Sequence, residues 1–196
     1  MAYVAPSTVT AGTSPITAAA QNIIVNDVIA LRASQVNVVQ AVKLDTFSTT
    51  SNSFVDVTGL SATITPTTNT SKILIFAHVN LGITLPSSGE HIGAVRLTGG
   101  NSGTFIGDAG GGSQPRAAVS ISSSADFVPA WSALPVQFFY LDSPATTSAT
   151  TYKIQVLQNG YATSVSPVFV NYARNDGNYV YTARTASNIV VMEIAV

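Results

Sequence analysis

Beyond Ser34 the apolar side chains of this sequence fall on alternate positions, and a period of two commits the chain to β-structure. In the first such stretch Val36, Val38, Val42 and Leu44 take one face, while Asn37, Lys43 and Asp45 take the other. The pattern predicts strands over 53–57, 60–65, 72–80, 91–98, 103–107, 117–122, 136–142, 151–158, 178–184 and 188–195. Between them lie turn-forming segments such as Thr65-Pro66-Thr67-Thr68-Asn69, Leu85-Pro86-Ser87-Ser88-Gly89 and Ser143-Pro144-Ala145-Thr146. The Asp176-Gly177 pair is a hairpin signal. Lys72–Ala77 and Val136–Leu141 are the most apolar runs, which suits central strands buried on both faces. Short strands at this spacing predict an all-β fold, an antiparallel β-sandwich or jelly-roll-like domain over residues 35–196.

The first 34 residues read differently. Residues 1–15, with Pro6, Gly12 and Pro15 among Ser, Thr and Ala, predict an extended arm. From Thr17 to Arg32 the apolar residues Ile16, Ala20, Ile23 or Ile24, Val28 and Leu31 recur at steps of three and four, which is helical spacing. Thr17 suits the N-cap, three alanines follow it, and Arg32 complements the dipole at the far end. The polar side of this helix is thin, so Ile16, Ile23, Ile24, Val28 and Leu31 are candidate anchoring residues. They would dock on the same chain, on a neighbouring copy or on another protein.

Charge narrows the function. Only 9% of the residues are charged against about 25% in a typical domain, the net charge is −1, and 23 Thr with 22 Ser supply most of the polarity. Eight Lys and Arg in all leave no basic face for a phosphate backbone, so nucleic acid is not an expected partner. The absence of cysteine excludes disulfides and thiolate metal sites and fits assembly in a cytoplasm. Met1–Pro6 has neither the basic segment nor the apolar run of a signal peptide, and no stretch predicts membrane insertion by a helix. A sparsely charged surface favours subunit contacts, because few ions are desolvated when copies meet.

Chemistry-bearing patterns are sparse. His78 and His91 lie thirteen residues apart in separate strands, where they read as histidines facing solvent or a subunit interface. No G-x-S-x-G elbow occurs, and Asp45 and Asp56, the nearest carboxylates among the strands, form no acid–base pair in sequence. No catalytic residue, metal or cofactor is expected, and Glu90, His91 and Asp108 are the residues an enzymatic reading would use. The glycine-rich stretch from Thr98 to Gly112 lacks the Gly-Lys-Ser/Thr of a phosphate loop and reads as a connection. Asn101 and Asp108 within it, and Arg116 just beyond it, are candidate exposed-loop contacts to a receptor or neighbour. Trp131, Phe127, Phe138, Phe139 and Tyr140 read as core or interface aromatics, with sugar stacking as the other option.

The run Asp45-Thr46-Phe47-Ser48, Ser53-Phe54-Val55-Asp56-Val57-Thr58-Gly59-Leu60-Ser61-Ala62-Thr63-Ile64-Thr65-Pro66 and Ser71-Lys72-Ile73-Leu74-Ile75 resembles small virion proteins of tailed bacteriophages, both head-decoration and tail-fibre types. The segment Thr17–Arg32 is similar to their short N-terminal helix, without the tryptophan such helices often carry. The C-terminal half resembles, in strand pattern, the trimeric sandwich heads of the tumour-necrosis-factor and complement-C1q type. The resemblance implies a homotrimer in the virion, on the capsid surface or tail, assembled in the host cytoplasm and without catalytic residues. The arm and helix would bind a major capsid protein or another virion structural protein. No long heptads or β-helical repeats supply a fibre stalk, which favours a capsid decoration (cement) protein over a tail or head fibre with a receptor-binding tip. The second reading adds a host surface glycan as partner.

Overall fold

A computed structural model describes residues 17–33, 37–84, 91–100, 103–105, 114–123, 130–160 and 166–195. The arm, with Ile16, lies outside the described residues. The chain divides into two units, residues 1–35 and 36–196.

The first unit holds helix α1 (Ala18–Ala33). Thr17 caps it as its position predicts: its Oγ1 accepts from the Ala20 amide at 3.2 Å and its carbonyl from the Gln21 amide at 3.0 Å. Within this unit Ile23, Ile24, Val25, Val28 and Ile29 are all exposed. They spread around much of the helix and do not form one narrow stripe.

The second unit is built of eleven strands: β1 (Val38–Lys43), β2 (Phe47–Thr49), β3 (Val55–Ile64), β4 (Lys72–Ile83), β5 (His91–Gly99), β6 (Gly103–Phe105), β7 (Val119–Ser123), β8 (Leu134–Asp142), β9 (Thr150–Gly160), β10 (Val168–Val170) and β11 (Ser187–Ile194). They form two antiparallel sheets, as alternation predicts for a sandwich. One runs β1-β11-β4-β10-β2 with β8 also paired to β4; the other runs β3-β9-β5-β6 with β7 also paired to β5. The inward set of each strand meets in one core, with Leu60, Ile73, Ile75, Leu97, Ile154 and Ile189 among its fully buried members. Burying each such side chain contributes about 1.5–3 kcal/mol.

Three sequence expectations change. The strands at 53–57 and 60–65 are one strand, β3, whose ladder with β9 shifts register between Asp56 and Ser61. Gly59 sits in the shift at φ +85°. The bulge re-phases the alternation, so Val57 and Leu60 both reach the core from positions of opposite parity. The segment 178–184 is a loop, not a strand, and Asp176-Gly177 turns no hairpin. Among the described residues β8 pairs only with β4 and lies at an edge with Phe139 and Leu141 exposed, so its apolar run does not mark a central, doubly buried strand.

Polar clasps fix the layers. Tyr152 donates to Asp142 Oδ2 at 2.7 Å inside the core. Burial first, and then this hydrogen bond, push the phenol well above its ordinary range. Glu193, near the end of β11, accepts from the Thr67 amide and hydroxyl, each at 2.6 Å, and from Asn37 Nδ2 at 3.3 Å. Burial works to raise its carboxyl, but the donors from Ser71, Thr67 and Asn37 outweigh it and leave the carboxyl below its ordinary value of 4.5.

Candidate functional site

Most residues singled out in the sequence do not converge. Ile23, Ile24 and Val28 lie exposed on α1; Leu31 is on the same helix. Asn101, Asp108, Glu90 and Phe127 fall outside the described residues, and Arg116 is exposed in the segment leading to β7. His91 corrects its expectation. It shares the inward parity of Val95 and Leu97 on β5, a strand paired on both sides, and is buried at 1% exposure, away from solvent. Asp45 and Asp56 bind cations instead of each other: Asp45 meets Lys43 and Asp56 meets Lys153, each at 2.9 Å. The amide of Gln155 and then the Lys153 ammonium hold Asp56 below the usual carboxylate range. Among the described residues no group of three or more His, Cys, Asp or Glu is arranged to hold a metal.

The most exposed aromatic residues among those described instead gather at two surfaces. The first is the outer face of the six-stranded sheet. Cross-strand register places Val38, Met192, Leu74 and Leu141 in one row over β1, β11, β4 and β8. The next row is Gln40, Val190, Phe76 and Phe139, and the third is Val42, Asn188, His78 and Gln137. Phe139 is 71% exposed and its ring lies 6.5 Å from that of Phe76, while Phe138 and Tyr140, one residue to either side, turn into the core. The third row is polar apart from Val42, and His78 is held on both sides: Asn80 Nδ2 lies 3.0 Å from its Nε2, and the Gln137 amide nitrogen lies 2.8 Å from its Nδ1. Val38, Val42, Phe76, Phe139 and Leu141 are the exposed apolar side chains of these three rows, grouped as a patch of the kind that marks an interaction surface.

The second surface is the loop between β10 and β11. Asn171 roots it in the left-handed region at φ +70° and is fully buried. Its Nδ2 donates to the carbonyls of Lys43 and Asp45, both at 2.9 Å, and its Oδ1 accepts from Ser187 Oγ at 2.6 Å. The Thr185 amide donates back to the Asn171 carbonyl at 3.0 Å, so the two ends of the loop are clamped together. Farther out, Thr182 Oγ1 lies 2.6 Å from the Gly177 carbonyl and 2.9 Å from that of Tyr179, and the Asn175 amide donates to Ala130 at 2.9 Å. That last bond ties the loop to the segment carrying Trp131.

On this frame three aromatic rings meet at the surface. Tyr179 and Tyr181 stack with centroids 5.1 Å apart and planes 3° from parallel. Trp131 meets both edge-on, at 5.7 and 5.0 Å. All three are exposed (Trp131 39%, Tyr179 52%, Tyr181 59%), with Val180 standing fully in solvent between the tyrosines. Beside them opens a cleft of about 350 Å³ lined by Asp176, Gly177, Asn178, Tyr179, Thr182, Ala183 and Arg184. Arg184 is paired with Asp176 and lies over the Tyr172 ring at 5.4 Å, which fixes both heads. The sequence reading singled out Trp131 but assigned 178–184 to a strand. The available signal was an aromatic pair two apart beside Asp, Gly, Asn and Arg.

No protein-family model matches the chain, and no curated protein matches it. Solved structures that it resembles include one of the infectious bursal disease virus Gx strain (17% identity, TM-score 0.34) and one of the VP2 subviral particle of infectious bursal disease virus (15%, TM-score 0.33). Each covers 83% of this chain, which spans only 38% of the matched chain. Likeness at this level decides neither fold nor function.

Proposed function

We propose that this chain is a non-enzymatic structural protein of a bacteriophage virion, a homotrimeric decoration protein that reinforces the capsid shell. The observation that carries the reading is the outer face of the six-stranded sheet, where one apolar row crosses four strands and a second crosses three, with Val38, Phe76, Phe139 and Leu141 exposed. Covering these side chains removes apolar surface from water, which favours contact between copies, and rim contacts would add to it. The exposed isoleucines and valines of α1 would supply a separate anchor to the major capsid protein, and the likeness of Thr17–Arg32 to the helix of small virion proteins supports that division.

The exposed aromatic loop favours a second reading, a tail or head fibre with a receptor-binding tip. Light scattering on the purified chain is expected to give a trimer. Removal of residues 1–33 should leave that trimer intact and abolish binding to particles. A monomer at all accessible concentrations, or full particle occupancy by the truncated chain, would overturn the proposal. Copy number per virion separates the two readings, with hundreds for a shell component and a few trimers for an appendage.

A further inference from the structure

We infer that the β10–β11 loop together with Trp131 is a carbohydrate-binding site for a neutral oligosaccharide. The sugar would stack a pyranose face on Tyr181 or on Trp131, whose planes stand 85° apart, and direct its hydroxyls to Asp176, Asn178 and Arg184. This deepens the receptor-binding reading and rests on it for its biological use, though not for its test.

Four observations carry the inference. First, three exposed aromatic rings in mutual contact form a platform, not core. The apolar C–H face of a pyranose packs on such rings, whose π faces attract the weakly positive C–H groups. Second, Tyr179 belongs to both the platform and the adjoining cleft, so a sugar on the rings has hydroxyls within reach of the cleft wall. Third, that wall presents a carboxylate, a carboxamide and a guanidinium, planar heads that pair with vicinal hydroxyls. Asp176 and Arg184 hold one another, and Arg184 is further placed by Tyr172. Fourth, hydrogen bonds inside the loop and its clamp at Asn171 hold the platform before any ligand arrives, which lowers the ordering cost of binding.

The charge around the cleft selects the ligand class. Arg184, the cation lining the cleft, is already neutralised by Asp176. An acidic sugar or a phosphate would face the Asp176 carboxylate. A strand of nucleic acid would need a basic track, which a chain with eight Lys and Arg in all does not provide.

Trp131 is the single tryptophan of the chain, so its emission reports on this site alone. The full-length protein is titrated with maltohexaose, cellohexaose, laminarihexaose and chitohexaose, with sialyllactose as the charged comparison. At least one neutral oligosaccharide is expected to give a saturable shift in Trp131 emission in the micromolar to millimolar range. Tyr181→Ala should weaken that binding about tenfold, one stacked ring's worth, at unchanged melting temperature. Asp176→Asn should weaken it several-fold, and Phe139→Asp, on the other surface, should leave it unchanged.

The inference is overturned if no neutral oligosaccharide shifts the emission at millimolar concentration, or if sialyllactose binds better. It also fails if the emission shifts with protein concentration in the absence of sugar, since the rings are then a contact between copies. A chain that trimerises and joins particles but binds no sugar removes this site and leaves the structural reading. A monomer that binds sugar does the reverse.

Discussion

The outer sheet face and the β10–β11 loop both expose aromatic rings, yet their neighbours make them chemically unlike. Around Phe76 and Phe139 the adjoining positions are Val190, Leu74, Leu141 and Met192 on one side, a pleated apolar face, and His78 and Gln137 on the other, where a cleft of about 720 Å³ opens. Around Tyr179 and Tyr181 the adjoining positions are Asp176, Asn178 and Arg184, and the surface is a platform with a cleft beside it. A plane of aliphatic and phenyl groups gains by excluding water over a broad area, which another protein surface can do. Rings bordered by oriented polar heads gain from a ligand that is apolar on one side and hydroxylated at its rim. Exposure alone does not separate the two cases; the company of each ring does.

The sharpest way to break this comparison is to charge the flat face. The double substitution Phe76→Asp with Phe139→Asp is expected to weaken self-association by about 100-fold or more, because two central aromatic contacts are replaced by desolvated charge. Both side chains point outward, so the melting temperature should change little. Sedimentation measures the association and the Trp131 titration measures the loop. If the double variant still forms the same oligomer, copies do not meet through this face.

The next test acts on the root of the loop. Asn171→Ala removes an amide that donates to two carbonyls and accepts from Ser187, and it places alanine at φ +70°. Unsatisfied buried groups and a left-handed alanine together should cost about 3 kcal/mol, measured by chemical denaturation. Sugar binding by the folded fraction should fall as the clamp loosens, whereas association through the sheet face should persist at protein concentrations where the chain is folded. Loss of association with full sugar binding would reverse the roles assigned to the two regions.

A smaller effect separates the regions by pH. The Glu193 carboxyl lies below its ordinary value of 4.5 in the folded chain, so the unfolded chain takes up its proton first as pH falls. Its contribution to stability is complete above 4.5 and is lost as pH drops through the lowered folded value. Glu193→Gln should cost about 1–2 kcal/mol at neutral pH, since Thr67 and Asn37 donate to a carboxylate that the amide replaces only in part. The variant should lose part of the acid-side slope of denaturation. Because the clasp holds the strand carrying Met192, the effect belongs to the sheet face and not to the loop. An unchanged slope would mean that the clasp contributes nothing to acid stability.

How far the sequence revealed these regions follows from the range of the interactions involved. Alternation over β4, β5, β9 and β11 is local, and Thr17 caps α1 through its own neighbours, so both were legible. The three-residue strands β2 and β10 were not, because they exist only by pairing, β10 with β4 and β2 with β10. Tyr179-Val180-Tyr181-Thr182 has the β-propensity of a strand, but its rings are satisfied by each other and by Trp131, so the segment stays a loop. The apolar run of β8 reads as doubly buried because hydropathy cannot tell an interior face from an exposed apolar one. Gly59 let one strand look like two. The loop site needed Trp131 and Tyr181, far apart in sequence, to be brought within 5.0 Å, and no spacing rule could foresee it.

The gentlest perturbation tests whether the platform works as a stack. A Cβ added at Gly177 would lie 2.2 Å from Tyr179 Cε2, so Gly177→Ala must displace a ring. That ring is an exposed side chain on a loop, free to swing, and alanine restricts the unfolded chain relative to glycine. Stability should therefore stay within about 1 kcal/mol of the parent in either direction. The parallel stack with Tyr181 cannot survive the swing intact, and an aromatic pair is worth about 0.5–1.5 kcal/mol. Oligosaccharide affinity is thus expected to fall several-fold while melting temperature and oligomeric state stay put. Equal affinity in the parent and Gly177→Ala would show that the rings act singly, with no part played by the Tyr179–Tyr181 stack.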